Sequence, residues 1–89
     1  MKLIVKRKGH SQDFDPKKLY ASIYAACMAI RMREGQAELI ADNVSKDVTD
    51  ELSHMHTVNS RELIEIVVKF LEQYDVDAAY LYQSHRDIS

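Results

Sequence analysis

The sequence predicts an α+β fold in which a small three-stranded sheet, an N-terminal hairpin plus a short third strand, caps a four-helix cluster. Three observations lead there. A β-branched run near the start meets a Lys8-Gly9 turn signal, the rest of the chain repeats apolar residues at helical spacing, and a second short β-branched stretch interrupts that periodicity midway.

Residues 2–7 read as a first strand. Lys8-Gly9-His10 reads as a turn, because Gly9 takes positive φ at little steric cost. Residues 11–14 return as a second strand, and Leu3 or Ile4 together with Phe14 are its expected core-facing members. Asp15-Pro16 is a helix start, a capping carboxylate followed by proline at the first helical position. Leu19, Ile23, Ala26, Cys27 and Ile30 carry that helix to about Met32, and Glu34-Gly35 is expected to break it. Ile40, Val44, Val48 and Leu52, every fourth residue, form the buried stripe of a second helix whose other faces are charged. Residues 54–58 are expected to lie beside the hairpin as a third strand. Asn59 or Ser60 caps a third helix, with Glu62 in capping-box register and Leu63, Ile66, Val67, Phe70 and Tyr74 inward. Asp75-Val76-Asp77 breaks the chain again, and residues 78–86 form the last helix.

With 89 residues, no internal repeat and no linker, residues 1–89 are expected to form a single domain with one modest core. The single cysteine, Cys27, allows no disulfide within the chain, and no apolar run is long enough to span a membrane. A cytoplasmic location with no membrane partner is the simplest expectation. The net charge of −2 hides an asymmetry. Residues 1–18 carry six cationic side chains against two carboxylates, while the remaining residues carry six against twelve. A local basic site on an acidic body suits a small anion better than a long polyanion, which needs an extended track. Nucleic acid therefore ranks last among expected partners.

The first helical turn sharpens the expectation. A helix N-terminus carries partial positive charge and favours acids, yet Lys17 and Lys18 stand there. The hairpin brings Lys6, Arg7 and Lys8 close in sequence to the same end. Free amides, helix dipole and lysines together can hold phosphate, although short basic clusters are also common on ordinary solvated surfaces.

The string Ile4-Val5-Lys6-Arg7-Lys8-Gly9, followed by Phe14-Asp15-Pro16-Lys17-Lys18-Leu19, resembles the opening of the ATP-cone family. Val58-Asn59-Ser60-Arg61-Glu62-Leu63 resembles the segment before that family's third helix. Residues 79–87, with Tyr82 and Arg86, resemble its final helix, most closely the version in anaerobic ribonucleotide reductases. Four blocks in the right order cover nearly the whole chain. The resemblance implies a regulatory domain, not an enzyme, that binds ATP or dATP between sheet and helices, with Mg2+ arriving on the triphosphate. It implies that Lys6, Arg7 and Lys18 contact phosphates and that Ser60 lies near ribose or phosphate. Ile4 and Phe14 would wall the base, Gln12 or Asp15 would read its edge, and Arg86, one turn beyond Tyr82, would close over the phosphates. Two positions depart from the family pattern: Lys8 stands where many members have Asp or Asn, and Gln12 where an acidic residue often helps read the base.

The implied action is control of self-association or of a ribonucleotide reductase-type partner. The alternative is a protein-interaction module that keeps this fold without binding nucleotide. Tyr20 and Tyr24 form a stripe suited to packing or self-association. His54 and His56 share a strand face but lack the further ligands a metal site needs, and no metal is expected. No Walker loop, cysteine pair or nucleophile–base set points to catalysis.

Overall fold

The computed structural model describes residues 2–88, with side chains through His85. The elements follow in the order β1 (Ile4–Arg7), β2 (His10–Asp13), α1 (Pro16–Ala29), α2 (Glu34–Leu52), β3 (Thr57–Asn59), α3 (Ser60–Leu71) and α4 (Val76–Ile88). This is the expected α+β arrangement of four helices and a three-stranded sheet.

The sheet order is β2-β1-β3. Central β1 runs antiparallel to β2, with Val5 opposite Gln12, and parallel to β3, with Val5 opposite Val58. The hairpin turns through Lys8 (φ 38°) and Gly9 (φ 82°), both left-handed. Two-residue turns of this kind match the strand twist, but they favour Asn or Gly where Lys8 stands. Side chains alternate faces along a strand, so buried Val5 and Val58 look toward the helices and Ile4 looks away. Val5, rather than Ile4, is thus the hairpin's core residue, flanked by half-buried Leu3 and Phe14.

Asp15 caps α1, accepting from the Lys17 amide at 2.9 Å. Helix α1 stops at Ala29 because Arg31 turns left-handed (φ 63°). The Met32 amide then reaches back to the Cys27 carbonyl and the Arg31 amide to that of Met28. This closure satisfies the terminal carbonyls without glycine. Gly35, expected as the breaker, instead lies inside the first turn of α2.

Ile40, Val44, Val48 and Leu52 are all buried, and Ala37, Ala41 and Ser45 widen the same face of α2. Strand β3 begins three residues later than the sequence suggested. Asn59 caps α3 by accepting from the Glu62 amide at 2.7 Å, which makes Ser60 the first helical residue and not the cap. Helix α4 begins at Val76, earlier than expected, because Asp75 accepts from the Ala78 amide at 3.0 Å. Tyr74, expected inward, falls in the turn between α3 and α4 and is exposed.

The hydroxyl of Ser45 is buried with no hydrogen-bond partner. A desolvated, unmatched hydroxyl costs about 1–3 kcal/mol, and alanine is also the better helix former. The Ser45→Ala variant is therefore expected to be more stable by about 1 kcal/mol. Thermal melts should show a midpoint higher by roughly 4–8 °C.

Candidate functional site

A cavity of about 550 Å³ lies between the sheet and the helix ends. Four segments build it: the hairpin, the start of α1, the start of α3, and the middle of α4. That volume lies within the range of small-molecule pockets.

The mouth is cationic. Lys6, Arg7 and Lys8 come from the hairpin, Lys18 from the first turn of α1 and Arg61 from the first turn of α3. All five are exposed, and among the described residues none forms an ion pair. The nearby carboxylates are already engaged. Asp13 pairs with Lys2 at 3.4 Å, and one oxygen of Asp15 accepts from the Lys17 amide. Repulsion among like charges at one opening, without internal counterions, is relieved by an anionic ligand.

Two helix N-termini add to the same field, because α1 and α3 both start at the cavity. In α1, proline has no amide, the Lys17 amide bonds the cap and the Leu19 amide bonds the Asp15 carbonyl. The Lys18 amide is left without an intrahelical acceptor, as helix geometry requires. Such amides accept phosphate oxygens readily.

The inner end is apolar. Buried Val5 and Leu19, with half-buried Phe14, Leu63 and Ile64, form its walls. Gln12 stands opposite Val5 in the sheet and so shares its helix-facing side. At the floor, the Ser22 hydroxyl lies 3.1 Å from the Tyr82 hydroxyl and donates to the Leu19 carbonyl at 2.8 Å. Ser22 is half-buried and Tyr82 is buried.

Lys6, Arg7, Gln12, Phe14, Asp15, Lys18, Ser60 and Tyr82, singled out in the sequence, are brought together around this cavity. Lys6 lines it although its side chain leaves the pleat opposite to Val5. Ile4 does not line it, for the pleat that removes it from the core also removes it from the cavity. The side chain of Arg86 lies outside the described residues. Sequence reasoning missed Arg61 and Ser22. Arg61 was legible in principle, because a cation two residues after a capping asparagine repeats the pattern of Lys18 after Asp15. Ser22 carried no signal, since a serine on a helix seldom stands out.

The remaining chemistry-bearing side chains lie elsewhere. Burial, and secondarily Asp75, pushes the Cys27 thiol above its usual pKa, so it stays protonated and inert. Among the described residues, no cluster of three or more His, Cys, Asp or Glu is arranged to hold a metal ion. No helix of these residues is long and apolar enough to cross a membrane.

A family model described as "ATP cone domain" matches residues 2–89. Among curated proteins, the chain is 28% identical to a protein named "Transcriptional repressor NrdR" from Chlamydia muridarum (strain MoPn / Nigg), with 96% of this chain and 57% of that protein covered. Proteins of the same name from Chlamydia trachomatis serovar D and Chlamydia felis are each 27% identical, with 96% of this chain covered in both and 56% and 57% of those proteins. The chain thus spans little more than half the length of these relatives. No solved structure matches. The printed name of the relatives, a transcriptional repressor, weighs against ranking nucleic acid last among partners.

Proposed function

This chain belongs to the ATP-cone family, and on that premise we propose that it binds ATP or dATP in the cavity between hairpin and helices and uses occupancy as a regulatory signal. One observation carries the reading: five cations from three segments, none in an ion pair, surround a single opening onto which two helix N-termini also face. An enclosed cationic mouth above an apolar interior matches a molecule with a polyanionic tail and a flat heteroaromatic head.

Lys6, Arg7 and Lys18 hold phosphates in this reading, with Lys8 and Arg61 joining them. Ser60 offers its hydroxyl near the ribose or the first phosphate. Phe14 and Val5 wall the base, Val5 taking the part that Ile4 was expected to play. Gln12, with the carboxylate oxygen of Asp15 that the Lys17 amide leaves, reads a base edge. Arg86 closes over the phosphates from α4. Mg2+ arrives with the triphosphate and is held by phosphate oxygens.

Regulation requires that the nucleotide bind two states unequally, because equal affinity shifts nothing. The states proposed are two assemblies of this chain, or free and docked forms on a partner of the ribonucleotide reductase type. Nucleic acid enters as a partner of a longer protein such as the relatives. The cavity cations ring an enclosed volume, not an extended track, and are assigned to the small anion. Residues 1–89 act as one unit, without catalysis.

Calorimetric titration with ATP, dATP, GTP and inorganic phosphate tests the proposal. Saturable micromolar binding of ATP or dATP is expected, with phosphate alone far weaker. Absence of any saturable adenine-nucleotide heat removes the reading and leaves a protein-interaction module of the same fold.

A further inference from the structure

We infer that Ser22 and Tyr82, at the cavity floor, form the element that selects a 6-amino purine over a 6-oxo purine. This deepens the reading above and rests on it.

The cavity has a direction. Its cations are exposed, whereas Val5, Leu19 and Tyr82 are buried, so charge lies at the mouth and apolar surface at the inner end. A nucleoside triphosphate fits that gradient one way, phosphates outward and base inward. The base edge then meets the floor, where Ser22 and Tyr82 bring hydroxyls from α1 and α4.

Counting protons gives the floor its character. A carbonyl oxygen only accepts, so the 2.8 Å contact from Ser22 to Leu19 commits the one hydroxyl proton of Ser22. The 3.1 Å contact between the two hydroxyls then requires Tyr82 to donate to Ser22. With both protons committed, the pair presents oxygen lone pairs to the cavity. Adenine carries an amino group at position 6, a donor that matches. Guanine and hypoxanthine carry a carbonyl there, placing an acceptor against acceptors in a poorly hydrated recess, where an unmatched polar group is costly.

Removing the Ser22 oxygen has a specific consequence. Tyr82 loses the acceptor for its proton at the floor, and that proton becomes available to a ligand carbonyl. The Ser22→Ala variant should therefore lose preference and not merely affinity.

The experiment measures ATP and inosine triphosphate binding to the wild-type chain and to Ser22→Ala by calorimetry. The expected wild-type result is ATP binding tighter by about tenfold or more, as one matched hydrogen bond gives. In Ser22→Ala the two affinities should converge to within about threefold. A wild-type chain that binds both triphosphates equally, or a variant that keeps the wild-type ratio, overturns the assignment of the floor while leaving nucleotide binding intact. A wild-type chain that binds neither triphosphate overturns the function on which the assignment rests.

Discussion

Exchanging Lys18 for glutamate is expected to weaken ATP binding by about 100-fold or more while leaving the fold as stable as before or slightly more so. Lys18 lines the cavity from the first turn of α1, its side chain is in no ion pair among the described residues, and its own amide lacks an intrahelical acceptor. A charge-assisted bond to phosphate is lost on substitution, and a negative group is placed against the ligand. Each of these effects amounts to about 1.5–3 kcal/mol. For the fold the sign reverses. The first turn of α1 contains no acidic residue, and a carboxylate there meets the positive end of the helix dipole favourably, by about 0.3–1 kcal/mol. Binding and stability therefore move in opposite directions, which a merely structural lysine would not produce. Titration calorimetry and thermal melts on the same preparation check both. Unchanged ATP affinity in Lys18→Glu would remove the phosphate role, and unchanged assembly behaviour alongside it would favour an interaction module.

The same residue shows what a sequence can disclose. A lysine where a helix prefers an acid is a local conflict, and such conflicts tend to mark sites where binding outweighs folding preference. The stripe of α2 was equally legible, since Ile40, Val44, Val48 and Leu52 are buried as their spacing demands. Boundaries were less so. Gly35 drew attention as a breaker, yet α1 ends at Arg31, whose left-handed conformation is held by the Met32 and Arg31 amides bonding back to α1. Nothing local to an arginine announces that. Ile4 and Val5 are adjacent, and a strand period of two gives them opposite fates; only the pairing of Val5 with Val58 over the helices decides which turns inward. Arg61 and Ser22 reach the cavity through the parallel pairing of β1 with β3 and the packing of α4 on α1, both long-range contacts. The phosphate end of the proposed site lies in one stretch of sequence and was readable. The base end is assembled from four segments and was not.

Replacing Ile23 by alanine is expected to cost about 2–5 kcal/mol. Ile23 is fully buried on α1, one helical turn beyond the cavity-lining Leu19, and α1 makes its most extensive packing against α2. Truncation removes three carbons from a close-packed interior, and the flanking helices are too constrained to collapse fully onto the void. A chain of this size has about 5–15 kcal/mol to lose, so the variant approaches the unfolding threshold. Its melting midpoint should fall by roughly 4–8 °C for each kcal/mol lost. Nucleotide then becomes a measurable source of stability, because a ligand that binds only the folded form at 100 times its Kd adds about 2.7 kcal/mol. ATP should restore a large part of the lost midpoint in Ile23→Ala and none of it in the double variant that also carries Lys18→Glu. Recovery in both would show that ATP acts elsewhere on the protein. A fall of only a degree or two in the single variant would mean that the interface between α1 and α2 repacks freely around the deletion, and that the cavity rests on a softer base than the burial of Ile23 implies.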